Sequence, residues 1–164
     1  EALLLEPFIE TDEVLIVEGE IFWKSKTDWI EVTVGVLGRE GSCEALTPSI
    51  TVASGEVLTV EEKFQGGTGV NITPPPPEFV APDIVAKVQR SIETVAKVLG
   101  VNGYARIDCF VHRHTGEILV IEANSLPGLT PSTVLYHQAL AEQPPLFPTE
   151  LLEKILEYRV TPKA

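Results

Sequence analysis

The chain has 164 residues, 44% of them hydrophobic, and carries 12 Lys and Arg against 24 Asp and Glu for a formal charge of −12. That size and apolar share suit one ordinary domain over residues 1–164 with its own core, and the acidic balance excludes nucleic acid and anionic membrane surfaces as natural partners. No apolar run approaches the roughly 20 residues that span a bilayer, so the chain reads as soluble.

Two cysteines, Cys43 and Cys109, make no disulfide framework and fit a reducing compartment. Cys109 lies in an apolar strand pattern, where a small buried thiol is expected. The opening residues Glu1 to Glu6 lack the cationic start of a signal peptide and any initiator Met, as in a piece excised from something longer.

In chain order, Leu3 to Ile9 reads as a buried strand leading into a loop, and Thr11 to Thr27 as a hairpin or an insertion. From Trp29 to Leu37, Ile30, Val32, Val34 and Val36 alternate with Glu31, Thr33 and Gly35, the period of two of a strand, and Gly38 to Gly41 supplies a turn. Ser49 to Ala53 and Glu56 to Glu61 are further strand candidates, followed by the glycine-rich loop Gln65-Gly66-Gly67-Thr68-Gly69. The prolines Pro74 to Pro77 predict a polyproline II spacer. Between Pro82 and Leu99 the residues Ile84, Val88, Ile92, Val95 and Leu99 recur at helical spacing, with Gly100 as the cap. A shorter helix is predicted from Thr149 to Tyr158 after Pro148.

Tyr104 to Val111 and Ile118 to Ala123 flank a turn-rich stretch, which predicts an antiparallel hairpin. Centred on Thr115, it sets Asp108 opposite Glu122 and Arg106 opposite Asn124, all four on one face. The other face then carries Ala105, Ile107, Cys109, Val111, Leu119, Ile121 and Ala123 as a core face. Opposed carboxylates repel and call for a compensating positive charge, unless they merely stand solvated on an open face. Asp, Glu and Asn are hard oxygen ligands suited to Mg²⁺ beside nucleotide phosphates, and Arg106 could hold an anionic oxygen. The following Asn124-Ser125-Leu126-Pro127-Gly128-Leu129-Thr130 turns sharply, and Gly128 lets a backbone N–H come close to a ligand.

Gly103-Tyr104-Ala105-Arg106-Ile107-Asp108 followed by Ile121-Glu122-Ala123-Asn124-Ser125-Leu126-Pro127-Gly128-Leu129-Thr130 closely resembles the signature of the D-alanine–D-alanine ligase family. Upstream, Leu5-Glu6-Pro7-Phe8-Ile9 resembles that family's adenine-binding hinge, Glu31-Val32-Thr33-Val34 its ribose-binding strand and Glu62-Lys63-Phe64 its substrate-side loop.

The resemblance implies an α+β fold, the carboxyl-terminal part of an ATP-grasp domain, with a mostly antiparallel sheet packed with helices. It implies that Asp108, Glu122 and Asn124 bind the Mg²⁺ ions on the ATP phosphates. By the same carry-over Glu6 and Ile9 contact adenine, Glu31 binds ribose and Lys63 lies near the phosphates. Arg106 and the Gly128 backbone would stabilise the oxyanion, and Ser132 or Thr133 would meet the second amino acid's carboxylate.

The implied reaction is ATP phosphorylation of one D-alanine carboxylate and attack by the amine of a second, for peptidoglycan precursors. Three departures stand beside it. Phe64 replaces a Tyr common in bacterial members. The stretch from Ile9 to Glu31 is longer than the bacterial connection and, with the loop Phe64 to Asn71 and its prolines, resembles the plant and algal branch, which fits plastid stroma as well as cytoplasm. The family's amino-terminal parts have no counterpart here, so the remainder of a longer chain is an expected partner and the chain alone is expected to be inactive. Family members are often homodimers. Competing readings are another ATP-grasp carboxylate–amine ligase, or the noncatalytic half of a duplicated ligase. No role falls to His112, His114 or His137.

Overall fold

The computed structural model describes residues 3, 5–18, 20–52, 70–130 and 132–160. The expectations for the strand Glu56 to Glu61, for Glu62-Lys63-Phe64 and for the glycine-rich loop 65–69 lie outside these residues.

Strands β1 (Glu13–Val17) and β2 (Glu20–Lys24) pair antiparallel as a separate two-stranded sheet, the hairpin alternative for this stretch. Before it, the residues expected as a buried strand form none. Leu5 and Phe8 are 96% and 87% exposed, because no strand edge among the described residues pairs with them.

The main sheet is antiparallel throughout and uses β3 (Trp29–Arg39), β4 (Ser42–Ala45), β5 (Ser49–Val52), β6 (Val70–Ile72), β7 (Gly103–His112) and β8 (Ile118–Asn124). The strand order is β6-β5-β3-β7-β8, with β4 also paired to β3. Sequence alternation gives no sign of the short strands β4 and β6. β4 arises because β3 runs on through Gly38 to Arg39, which pairs with Ser42 across the two-residue turn Glu40-Gly41, where Gly41 takes a φ of 85°, while Gly38 lets the Ser42 backbone come close. The chain turns at Pro76, whose carbonyl accepts from the Phe79 and Val80 N–H groups, so the polyproline spacer is shorter than expected.

Helix α1 (Pro82–Leu99) lies on one face of the sheet, where Ile84, Val88, Ile92 and Ala96 meet Ile30, Val32, Val34, Val36, Ile107, Cys109 and Val111. Gly100, at φ 66°, caps it through its N–H to the Lys97 carbonyl. Leu99 falls off the buried stripe, which continues through Ala96 instead, and is exposed.

Among the described residues the opposite face is covered only in part. Helices α2 (Val134–Leu140) and α3 (Pro148–Val160) set Leu135, Tyr136, Ala139, Leu151 and Ile155 against Leu37, Leu46 and Tyr104. The Thr47 N–H and hydroxyl both donate to Glu142 Oε1, at 2.6 and 2.7 Å, which ties the end of α2 to the sheet. Beyond Gly35 this face is left uncovered by the two helices, and there the polar residues of β3, β7 and β8 stand.

The hairpin β7–β8 departs from the symmetric register in one respect. Asp108 lies opposite Glu122, but Cys109 lies opposite Val120, so Ile121 is an extra residue in the ladder. The bulge turns Leu119 to the side of Phe110, and Leu119, Val120 and Ile121 are all more than a third exposed on the edge strand. The expected core face of β8 is therefore corrected: only Ile118 packs partly against the core.

Candidate active site

Alternation along β7 sends Ile107, Cys109 and Val111 toward α1, and so sends Arg106 and Asp108 to the other face. Register then decides their neighbours: Thr33 and Glu122 flank Asp108, and Gly35 and Asn124 flank Arg106.

Asp108 is buried, and both its oxygens are engaged. Oδ1 accepts from Thr33 Oγ1 at 2.5 Å and Arg106 Nε at 3.0 Å; Oδ2 accepts from Arg106 Nη2 at 2.8 Å and Asn124 Nδ2 at 3.5 Å. Asn124 Nδ2 also donates to Glu122 Oε1 at 3.2 Å, and Arg106 Nη2 lies 4.0 Å from that oxygen. Arg106 thus supplies part of the positive charge that the opposed carboxylates require.

Among the described residues no three His, Cys, Asp or Glu side chains converge as metal ligands, so the candidate set is two carboxylates and one amide. Those donors fit a hard cation. Asp108 is anchored from behind by Thr33, while Glu122, with 48% of its side chain exposed, is free to adjust. The Asn124 amide presents nitrogen to two carboxylates, and rotating it by half a turn would present oxygen to a cation there.

After β8 the chain turns over buried Pro127, and the Tyr136 hydroxyl donates to the Leu129 carbonyl at 3.3 Å. Gly128 is exposed, and a Cβ on it would stand 3.4 Å from Thr133 Cγ2. Ser132 is exposed. Thr133 differs: its Oγ1 is the one buried side-chain nitrogen or oxygen among the described residues without a hydrogen-bond partner. Buried polar atoms are nearly always paired, and the exceptions mark strain or a ligand position.

The other expected contacts are more scattered. Glu31 stands half-buried on β3, two residues from Thr33 and on the same face. Glu6 is exposed and Ile9 half-buried in the extended stretch before β1, outside the group joined to Asp108. Lys63 lies outside the described residues. Two residues escaped sequence reasoning. Thr33 was detectable, since it shares a face with Glu31 in the alternation of β3. Gln138, wholly buried on α2, sits in a short helix with no signal of its own.

Comparison with known proteins identifies the family. The family described as D-ala D-ala ligase C-terminus matches residues 3–157. The D-alanine–D-alanine ligase of Carboxydothermus hydrogenoformans is 32% identical over 153 residues, covering 93% of this chain and 45% of that protein. Among solved structures, the VanG D-Ala:D-Ser ligase from Enterococcus faecalis superposes with a TM-score of 0.65 at 21% identity, over 85% of this chain and 39% of that one. The D-alanine–D-alanine ligase from Bacillus anthracis complexed with ATP gives 0.55 at 20% identity, over 84% and 40%. At such identities the structures speak for the fold, which is the carboxyl-terminal part of an ATP-grasp domain. The chain spans less than half the length of the curated relatives it matches. With a family match over nearly its whole length, this chain belongs to the D-alanine–D-alanine ligase family, as its carboxyl-terminal portion.

Proposed function

We propose that this chain forms the metal-binding and oxyanion side of an ATP-dependent ligase that joins two D-alanines, within the longer arrangement its relatives have. The observation that carries the reading is the joined group Arg106, Asp108, Glu122 and Asn124 on one face of the sheet. Asp108, Glu122 and Asn124 would hold Mg²⁺. When bound, the metal neutralises phosphate charge during transfer.

The chain's own residues do the remaining work. Thr33 and Arg106 hold Asp108 in one orientation, which preorganises the carboxylate instead of leaving it to be ordered at each turnover. The Arg106 guanidinium, 21% exposed, is a cation that would meet developing negative charge, with the Gly128 N–H as a second donor on the strength of the family's pattern. Of the two hydroxyls considered for the second amino acid's carboxylate, the unpartnered Thr133 Oγ1 fits better than exposed Ser132. Glu6 and Ile9 would meet adenine, Glu31 ribose and Lys63 the phosphates, on the strength of the family's pattern. No described helix is long and apolar enough to cross a membrane, which is compatible with the cytoplasm or a plastid stroma.

The test is phosphate release from ATP by the full-length polypeptide, with D-alanine, D-serine and D-lactate offered as second substrates, compared with Asp108→Asn. Release that requires D-alanine and falls at least about a hundredfold in the variant supports the reading. Release that is indifferent to D-alanine, or unchanged by Asp108→Asn, refutes it.

A further inference from the structure

Strand β3 changes neighbours partway along one edge. Val36 to Arg39 pair with β4, and Val32 and Thr33 with β5, so Val34 and Gly35 have no strand residue opposite them on that edge. Backbone groups facing such a gap inside a protein must still find partners. The Gly35 carbonyl accepts from the Leu46 N–H at 2.8 Å.

The other two groups are met by one side chain. Gln138 Oε1 accepts from the Gly35 N–H at 2.8 Å, and Gln138 Nε2 donates to the Thr33 carbonyl at 2.8 Å and to Ser49 Oγ at 3.0 Å. Gln138 is fully buried, and both of its N–H donors and its carbonyl are used. Its primary amide therefore takes the place of a peptide unit in the ladder. Gly35 permits the approach, since a Cβ there would stand 2.4 Å from Leu135 Cδ1 and 2.7 Å from Gln138 Oε1.

One end of this link reaches Asp108 through Thr33, and the other is carried by helix α2. Thr33, whose carbonyl Gln138 holds, donates its hydroxyl to Asp108. Helix α2, which carries Gln138, starts directly after Thr133, whose buried hydroxyl has no hydrogen-bond partner among the described residues. Apolar packing alone would let α2 slide by fractions of an ångström over β3. Two hydrogen bonds to fixed backbone groups do not, because a slide would leave buried donors and acceptors unpaired.

We infer that Gln138 is a positioning residue for the ligation: it sets the Thr133 hydroxyl at a fixed place relative to Asp108, and so the second amino acid's carboxylate relative to the phosphate side. This rests on the proposed ligase reading. Gln138 touches no substrate and acts through α2 and β3.

The experiment uses the full-length ligase and measures KM separately for ATP and for the second amino acid in Gln138→Leu and Gly35→Ala, which disturb the same contact from its two sides. Both variants are expected to raise the amino-acid KM about tenfold, the equivalent of roughly one lost hydrogen bond, while the ATP KM stays within about twofold. A lower kcat with both KM values unchanged, as from a smaller folded fraction, overturns the inference, as does an equal rise in both. Should Gln138→Leu not fold, Gly35→Ala gives the same reading. Hydrogen exchange at the Gly35 N–H needs no substrate. Retained protection in Gln138→Leu overturns the link even if the wild-type chain proves not to be a ligase, whereas absent D-alanine-dependent release in the wild type counts against the ligase reading alone.

Discussion

Asp12 joins the β1–β2 hairpin to the main sheet, and its removal has a calculable cost. Its Oδ1 accepts from the backbone N–H groups of Lys26, Thr27 and Asp28 at 2.8 to 2.9 Å; its Oδ2 accepts from Trp23 Nε1 at 3.0 Å and lies 3.5 Å from Arg113 Nε. The carboxylate is fully buried. Asp12→Ala strips four donors of their acceptor, and hydrogen bonds to a charged group contribute roughly 1.5–3 kcal/mol each. The full sum would overcount, because Lys26 is exposed and water reaches that turn. A net loss of about 3–5 kcal/mol follows, the scale of breaking a buried charged network.

A two-stranded hairpin is marginal by itself, so the loss should appear first as local opening. Trp23 reports it, being stacked on Phe79 with ring centroids 4.6 Å apart. In urea titrations of Asp12→Ala, tryptophan fluorescence should change at lower denaturant than the far-ultraviolet circular dichroism of α1 and the main sheet. Asp12→Asn keeps an acceptor for the three backbone donors but turns an amide toward Trp23 and Arg113, and should fall between the two. A shift below about 1 kcal/mol for Asp12→Ala, or coincident transitions, would refute the argument that this carboxylate holds the hairpin.

Gly38→Ala should destabilise by more than about 1 kcal/mol, since φ is 143° and the new Cβ would lie 2.4 Å from the Ser42 carbonyl oxygen; a neutral result in urea unfolding would argue against the tight β3–β4 return. Burial, with the charges of Asp108 and Glu31, pushes the Cys109 thiol up to about 12, so it stays a protonated, unreactive thiol at pH 8. Cys109 should label only on unfolding, and rapid modification of both cysteines in the native chain would contradict its placement. Hydrogen bonds from Ser25 and then Arg113 lower the Asp28 pKa below its ordinary 3.8. A depressed carboxylate stabilises the fold above its unfolded value and loses that contribution as pH falls through the folded value. Acid titrations should therefore show a shallower stability loss below pH 3.8 for Asp28→Asn than for wild type, and identical slopes would remove Asp28 from the account.

Local periodicity carried much of this protein. The apolar stripe Ile84, Val88, Ile92 marked α1, and a hairpin centred on Thr115 set Asp108 across from Glu122 and Arg106 across from Asn124. Both are properties of a few adjacent residues, which a sequence displays directly.

Other features depend on pairings between distant segments. Whether Leu5 and Phe8 are covered depends on a strand edge elsewhere, and the alternation around them is silent about it. The bulge at Ile121 is one extra residue in a ladder and becomes visible only when the partner strand is in place. Gln138 reads as an ordinary helical polar residue until β4 and β5 part company beside Gly35, 103 residues earlier in the chain. By itself the sequence determined which side chains share a face, because side-chain direction follows from backbone period. Only the tertiary structure decided which buried groups find partners, because hydrogen bonds such as those of Asp108 to Thr33 and Gln138 to Gly35 close across the sheet between residues the chain holds far apart.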